Sequence, residues 1–260
     1  MSDHDDAARY AAAAGAVLLD LRARSEAEGS KLGSALGDAG DADANRRLLE
    51  LLHAEHPDDA VLSEESADDP RRLEADRVWI VDPLDGTREF TEAGRTDWAV
   101  HVALWERNGG SGGVDGSEVP GLTAGAVALP AQALVLSTAE PPVVPDNGGR
   151  QLRIVVSRTR PPPAARRVAA ALDGELVPMG SAGAKTMAVV TGDVDAYVHS
   201  GGQYEWDSAA PVAVAAAAGL HVSRLDGSPL EYNQADPWLP DLIVCRRDLA
   251  DAIVAAARSS

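Results

Sequence analysis

Apolar positions recur along the chain with two periods. Tyr10, Ala14, Val17, Leu18 and Leu21 return every three or four residues, which predicts an amphipathic helix over residues 4–26. Residues 28–40 are rich in Gly and Ser and carry no period, so they read as a mobile loop that orders when metal is bound. Leu48, Leu49, Leu51 and Leu52 mark the buried side of a second helix. The period then shortens to two. Strands are expected at 78–81 and at 98–105, where Trp98, Val100, Val102 and Leu104 alternate with smaller or polar residues. Residues 108–121 read as a surface loop by composition, and strands follow at 124–129 and 133–137.

The Pro-, Gly- and Asn-rich stretch 138–150 is the expected boundary between two lobes, residues 1–140 and 151–260. Beyond it the pattern alternates: strand 152–156, helix 163–172, strand 175–178, helix 184–192, strand 195–199 and helix 207–218. A hairpin at Asp226-Gly227, a strand at 241–245 and a helix at 249–258 close the chain. This is an α/β protein whose first lobe holds an antiparallel sheet and whose second alternates helix and strand.

Charge narrows the choice of partners. Against 23 Lys and Arg stand 41 Asp and Glu, a net charge of −18, which disfavours nucleic acid or an anionic membrane as the main partner. A small anionic substrate stays compatible if metal cations supply positive charge locally. The lone cysteine, Cys245, can form neither an internal disulfide nor a cysteine metal cluster. With an acidic N-terminus and no apolar run of spanning length, the chain reads as cytoplasmic.

Chemistry concentrates in three acidic segments. In Val78-Trp79-Ile80-Val81-Asp82-Pro83-Leu84-Asp85-Gly86-Thr87-Arg88-Glu89-Phe90 an apolar strand runs into Asp82, and a tight turn brings back Asp85. Pro83 fixes φ and Gly86 relieves crowding, so two carboxylates can converge at a strand end. Such a pair repels unless a cation sits between its members, and hard oxygen ligands suit Mg²⁺. The second segment is Val61-Leu62-Ser63-Glu64-Glu65-Ser66, where adjacent Glu would ordinarily be a solvated surface. The third is Glu205-Trp206-Asp207-Ser208-Ala209-Ala210, with Asp207 expected as the N-cap of an Ala-rich helix. Asp38, Asp41 and Asp43 form a further cluster ahead of the second helix, without the Glu that an EF-hand loop requires.

Together these segments resemble the inositol monophosphatase superfamily of Mg²⁺-dependent, lithium-sensitive phosphatases. The continuation Gly86-Thr87-Arg88-Glu89-Phe90 and the later Leu225-Asp226-Gly227-Ser228-Pro229-Leu230-Glu231-Tyr232-Asn233 are similar to the CysQ-type branch, and to its actinobacterial members, which act on 3′-phosphoadenosine 5′-phosphate. The resemblance implies a layered α-β-α-β-α sandwich. It implies that Glu64, Asp82 and the Leu84 carbonyl hold one Mg²⁺ and that Asp82, Asp85 and Asp207 hold a second. Glu64 would help with a third, weaker ion. Gly86 and Thr87 would offer backbone N–H groups to the phosphate, and Thr87 and Asp41 would orient and deprotonate the attacking water. Ser181 and Lys185 fall in the substrate loop, with Lys185 expected near the substrate's second phosphate. The implied role is hydrolysis of the 3′-phosphate to give AMP, clearing an inhibitory by-product of sulfate assimilation. Inositol monophosphate and fructose 1,6-bisphosphate remain alternative substrates, and a homodimer is left open.

Two departures stand out. Gly37-Asp38 replaces the Val-Thr of many relatives ahead of Asp41, and the loop Gly180-Ser181-Ala182-Gly183-Ala184-Lys185 is one residue longer than usual. Other readings fare worse. That loop lacks the Gly before Lys that a P-loop needs. Asp82 and Asp85 are one residue too far apart for a haloacid-dehalogenase nucleophile pair, and no Gly-x-Ser-x-Gly or His-Glu-x-x-His motif occurs. His101, alone on a strand, reads as a structural hydrogen-bonding residue. A non-catalytic nucleotide sensor on the same scaffold is the remaining rival class.

Overall fold

The computed structural model describes residues 2–28, 33–111 and 119–258, with backbone only at 110, 111 and 120. Helix α1 (Asp3–Ala27) starts on a capping box, in which the Ser2 hydroxyl accepts from Asp5 N at 3.3 Å and the Asp5 carboxylate accepts from Ser2 N at 3.0 Å. Helix α2 (Ser34–Glu55) follows, and β1 (Ala60–Ser63), β2 (Arg77–Asp85), β3 (Ala99–Ser111), β4 (Val119–Leu129) and β5 (Leu134–Ser137) form the first sheet in that order. The one-turn helix α3 (Thr87–Phe90) sits between β2 and β3. Residues 138–152 contain no helix or strand. The second sheet has the order β7-β6-β8-β10-β9, from β6 (Arg153–Ser157), β7 (Glu175–Met179), β8 (Ala196–Tyr204), β9 (His221–Ser223) and β10 (Trp238–Cys245). Its helices are α4 (Pro163–Ala171), α5 (Ala182–Val190), α6 (Glu205–Ala217) and α7 (Ala250–Arg258).

The alternation along β2 dictates the layering. Trp79 and Val81 point to one side and pack with Tyr10, Leu18, Leu48 and Trp98 under α1 and α2. Val78 and Ile80 point to the other and meet Met187, Val190, Ala213 and Val214 of α5 and α6, which also touch Val155, Tyr197 and Leu242 of the second sheet. Val168 and Ile253 of α4 and α7 cover that sheet's far face against Val198 and Ile243. The result is helices, sheet, helices, sheet, helices. A strand buried on both faces reads as an unbroken apolar run, as 78–81 does.

Several expectations need correction. The stretch 28–40 is not all loop: α2 begins at Ser34, so Asp38, Asp41 and Asp43 lie on the helix rather than ahead of it. Its glycines serve close packing instead of flexibility. A Cβ on Gly37 would stand 2.6 Å from Thr87 Cγ2, and one on Gly40 would crowd Phe90 and Leu84 at 3.0 and 3.1 Å. The expected metal-ordered loop otherwise falls on residues 29–32, outside those described. Likewise 108–121 is not all loop: β3 runs to Ser111 and β4 starts at Val119, so the hairpin arms reach into that stretch, and 112–118 lie outside the description. The first sheet is not purely antiparallel, because β1 pairs with β2 in parallel. Among the described residues no helix is long and apolar enough to cross a membrane.

Candidate active site

A sheet irregularity creates the centre of the site. Asp82 and Asp85 are three apart, so in a regular strand they would face opposite sides. Opposite them, Asp82 pairs with His101 and Asp85 with Ala99, so β2 spends one residue more than β3 over this interval. That bulge, at Pro83-Leu84, turns both carboxylates toward the α5–α6 layer. Proline suits the position because it has no ladder N–H to lose. Gly86 then takes φ +89°, a left-handed conformation that favours glycine, and α3 begins at Thr87.

Asp207 arrives on the first turn of α6. It is not the N-cap that the sequence suggested. Tyr204 holds that position, and the Asp207 carboxylate reaches back to accept from Tyr204 N at 2.6 Å. One Asp207 oxygen is thereby committed and the other stays available. The neighbouring Glu205 has a purely structural task, accepting from Asn233 N and Gln234 N at 2.7 and 2.8 Å. Buried Arg72 donates to Asn233 Oδ1 at 2.7 Å, which ties this loop to the turn that precedes β2.

Ligand atoms of Asp82, Asp85 and Asp207 lie within 4.8 Å of one another. Asp82 Oδ1 accepts from Leu84 N at 3.0 Å, while its Oδ2, fully buried, has no hydrogen-bond partner. An unpartnered buried carboxylate oxygen facing two more carboxylates is the donor set of a hard divalent cation. Glu64 stands over this group from the turn after β1. Ser63 Oγ donates to Asn45 Oδ1 at 2.8 Å and accepts from Glu65 N at 3.3 Å, so α2 fixes the turn that presents Glu64.

The buried carboxylates repel one another. Burial, then the charges of Glu64, Asp85 and Asp207, raises the Asp82 carboxyl well above the usual range. Burial and the Asp85 charge push Asp207 up to about 6, and burial with the Asp207 charge raises Glu64. Asp85 goes the other way. Burial opposes its charge too, but adjacent His101, then Lys185, then the Ser181 hydroxyl outweigh it and hold the carboxyl well below the usual range. Its oxygens accept from Gly183 N at 2.6 Å, Ala182 N at 3.1 Å and Ser181 Oγ.

Asp41, one helical turn before Asn45, faces the start of α3, and its carboxyl contacts the Thr87 hydroxyl. Thr87 Oγ1 also lies 3.3 Å from the Leu84 carbonyl. Burial and the charges of Glu65 and Asp38 push Asp41 up to about 7. The expected pair of Asp41 and Thr87 is therefore assembled, and Gly37 is what lets α2 approach Thr87 so closely.

Lys185 is neither solvated nor free. It is buried, and its Nζ donates to the Ser181 carbonyl at 2.6 Å and the Gly180 carbonyl at 3.3 Å, bracing the loop whose amides hold Asp85. His101 is more deeply involved than its lone position on a strand suggests. Its Nε2 is 3.2 Å from Asp85 Oδ2 and its Nδ1 is 3.0 Å from the Trp206 carbonyl, so it links Asp85 to the Asp207 helix. A second acidic group, Asp3, Asp6 and His56, has ligand atoms equally close, but Arg77 and Arg9 already pair with its carboxylates at 3.0 and 2.6 Å.

Sequence and structure comparisons bear on the fold and the family. Residues 3–260 match the model of the inositol monophosphatase family. The chain belongs to that family. It is 55% identical to the 3′-phosphoadenosine 5′-phosphate phosphatase of Mycobacterium leprae, covering 99% of this chain and 94% of that one. It is 32% identical to the 3′(2′),5′-bisphosphate nucleotidase CysQ of Escherichia coli K12, covering 77% and 81%. The crystal structure of CysQ from Bacteroides thetaiotaomicron superposes with a TM-score of 0.75 at 24% identity, covering 94% of this chain and 97% of that one, and confirms the fold. The inositol monophosphatase architecture thus accounts for the layer order.

Proposed function

We propose that this chain is a Mg²⁺-dependent phosphomonoesterase that removes the 3′-phosphate of 3′-phosphoadenosine 5′-phosphate, giving AMP and inorganic phosphate. One observation carries the reading: Asp82 and Asp85 of β2 and Asp207 of α6 converge around an unpartnered buried oxygen beside the pair of Asp41 and Thr87. The mycobacterial relative's named activity supplies the substrate.

Asp82, Asp85, Asp207, Glu64 and the Leu84 carbonyl would hold the Mg²⁺ ions. Bound there, they supply charge neutralisation for the phosphate dianion and a lowered pKa for the attacking water. The chain's own groups do the rest. Asp41, with a carboxyl titrating at about 7, accepts a proton near neutral pH, and the Thr87 hydroxyl between it and the Leu84 carbonyl orients that transfer. The Gly86 and Thr87 amides, at the start of α3, would offer donors to the phosphate. His101 and Lys185 hold Asp85 ionised, so one carboxylate stays charged and ready before any cation arrives.

Phosphate release from 3′-phosphoadenosine 5′-phosphate tests the proposal. Release with Mg²⁺ that stops on adding EDTA and is lost in Asp82→Ala supports it. Tight nucleotide binding without turnover would make the chain a sensor instead, and faster turnover of inositol monophosphate or fructose 1,6-bisphosphate would change its substrate.

A further inference from the structure

The segment Leu230-Glu231-Tyr232-Asn233 contributes none of the acidic ligands, yet it wraps the first turn of α6, which carries Asp207. Tyr232 OH lies 3.2 Å from Ser208 Oγ in the core. The Asn233 and Gln234 amides both donate to the Glu205 carboxylate. Glu205 N in turn donates to the Pro237 carbonyl at 2.8 Å. Residues 232–237 are thus bonded to α6 on both sides of Asp207 and fix that turn in place.

Arg72 reaches the same stretch from the opposite side. It lies in the short turn Pro70–Leu73 between β1 and β2, and its side chain is fully buried. Nη1 donates to Asn233 Oδ1 at 2.7 Å and Nη2 to the Gln234 carbonyl at 2.8 Å, while Asn233 Nδ2 donates back to the Arg72 carbonyl at 3.3 Å. The guanidinium also grips Asp68, Nε to Oδ1 at 2.6 Å and Nη2 to Oδ2 at 3.0 Å. Asp68 closes the segment that starts at Glu64, and Asn45 holds the front of that segment through Ser63 and Ser66. Glu64 is therefore fastened on both sides, and Arg72 joins the rear fastening to the α6 turn. Asn233 takes φ +58°, a left-handed conformation in which Asn is enriched, and this bend brings its amide to Glu205 and its side chain to Arg72.

We infer that Arg72 and Asn233 are positioning residues, which hold the Glu64 turn against the first turn of α6 and so set the spacing of carboxylates that would share divalent cations. This rests on the proposed metal-dependent phosphatase reading. Glu64 and Asp207 lie close enough for their charges to repel, so the pair does not hold itself together before a cation arrives. A buried, fully paired guanidinium adds little net stability, because desolvation offsets its attraction. What its bonds supply is one arrangement of the two segments they join.

Mn²⁺ binding, followed by titration calorimetry and by the spin resonance of the free ion, tests this without any substrate. Asn233→Gly removes the side chain that meets Arg72, keeps the backbone amide to Glu205 and suits a positive φ. The expected result is Mn²⁺ affinity about 10-fold weaker, as for loss of an outer partner of metal ligands. In phosphate release the half-activating Mg²⁺ concentration should rise by the same factor, with kcat at saturating Mg²⁺ within about twofold of the parent. Ile253→Ala, in the core between α7 and the second sheet, controls for lost stability and should leave Mn²⁺ affinity unchanged. Parent-like affinity in Asn233→Gly, or an equal loss in Ile253→Ala, would overturn the positioning role and leave the phosphatase reading intact. A parent chain that binds no Mn²⁺ would overturn both. One that binds Mn²⁺ but releases no phosphate would overturn the phosphatase reading alone.

Discussion

Gly183 provides the sharpest structural test. A Cβ at this position would stand 2.0 Å from His101 Nε2, far inside contact distance. His101 cannot simply swing away. It is fully buried, bonded through Nδ1 to the Trp206 carbonyl at 3.0 Å, with Nε2 3.2 Å from Asp85. Two effects of Gly183→Ala oppose each other. Alanine favours the helix by about 1 kcal/mol. The forced displacement in a packed core costs roughly 1–3 kcal/mol, and the overlap here puts it at the upper end. The Gly183 N–H bond to Asp85, at 2.6 Å, would also lengthen. The net expectation is a loss of about 2 kcal/mol, a drop in melting temperature of roughly 4–8 °C for a chain of this size. The decisive assay is a double-mutant cycle by denaturant unfolding, with Gly183→Ala made in the parent and in His101→Ala. In the His101→Ala background the substitution should become neutral or stabilising by up to about 1 kcal/mol. An equal destabilisation in both backgrounds would show that the clash with His101 is not its cause.

The same geometry makes further predictions. In EDTA the protein should melt higher at pH 5 than at pH 8. Asp82, Glu64, Asp207 and Asp41 all have folded-state pKa values raised above their unfolded ones, so their contribution is complete below about pH 4 and is lost as pH rises through 6–7. For Asp207, raised from 3.8 to about 6, the full loss is of order 3 kcal/mol, roughly half of it between pH 5 and pH 8. Saturating Mg²⁺ should flatten the profile by stabilising the charged forms, and a profile equally steep with Mg²⁺ would contradict this. Asp82→Asn should abolish phosphate release yet raise the melting temperature at pH 8 in EDTA, because it removes a buried charge; a lower melting temperature would refute the repulsion argument. Asp41→Asn should cut kcat by about 10²–10⁴, the usual contribution of a proton acceptor, while keeping the Mg²⁺-induced rise in melting temperature. Loss of that rise would make Asp41 a metal ligand instead.

The parts of the fold legible in the sequence were those with an unbroken period. The α1 stripe and the apolar run into Asp82 were both readable, because one face or both faces of each element are buried. The start of α2 was not. Gly37 and Gly40 look like loop residues, and only the neighbouring α3 shows that they are there to admit Thr87, Phe90 and Leu84. Strand β1 escaped because four residues with two half-exposed positions carry too little pattern. At the site, Asp82, Asp85, Glu64 and Asp207 were named from local motifs that the fold then brings near one another. What depends on long-range pairing stays hidden, as with His101, whose register opposite Asp82 exists only in the folded sheet. Lys185, expected near the second phosphate from its place in the substrate loop, is buried, and its bonds to Gly180 and Ser181 brace that loop, which no sequence pattern shows.

Anomalous scattering from crystals grown with Mn²⁺ in place of Mg²⁺ addresses the shared acidic pocket most directly. The expected result is a peak in ligand contact with Asp82 Oδ2 and shared with Asp85 and Asp207. A peak only at Asp3, Asp6 and His56, or none at either group, would contradict the account.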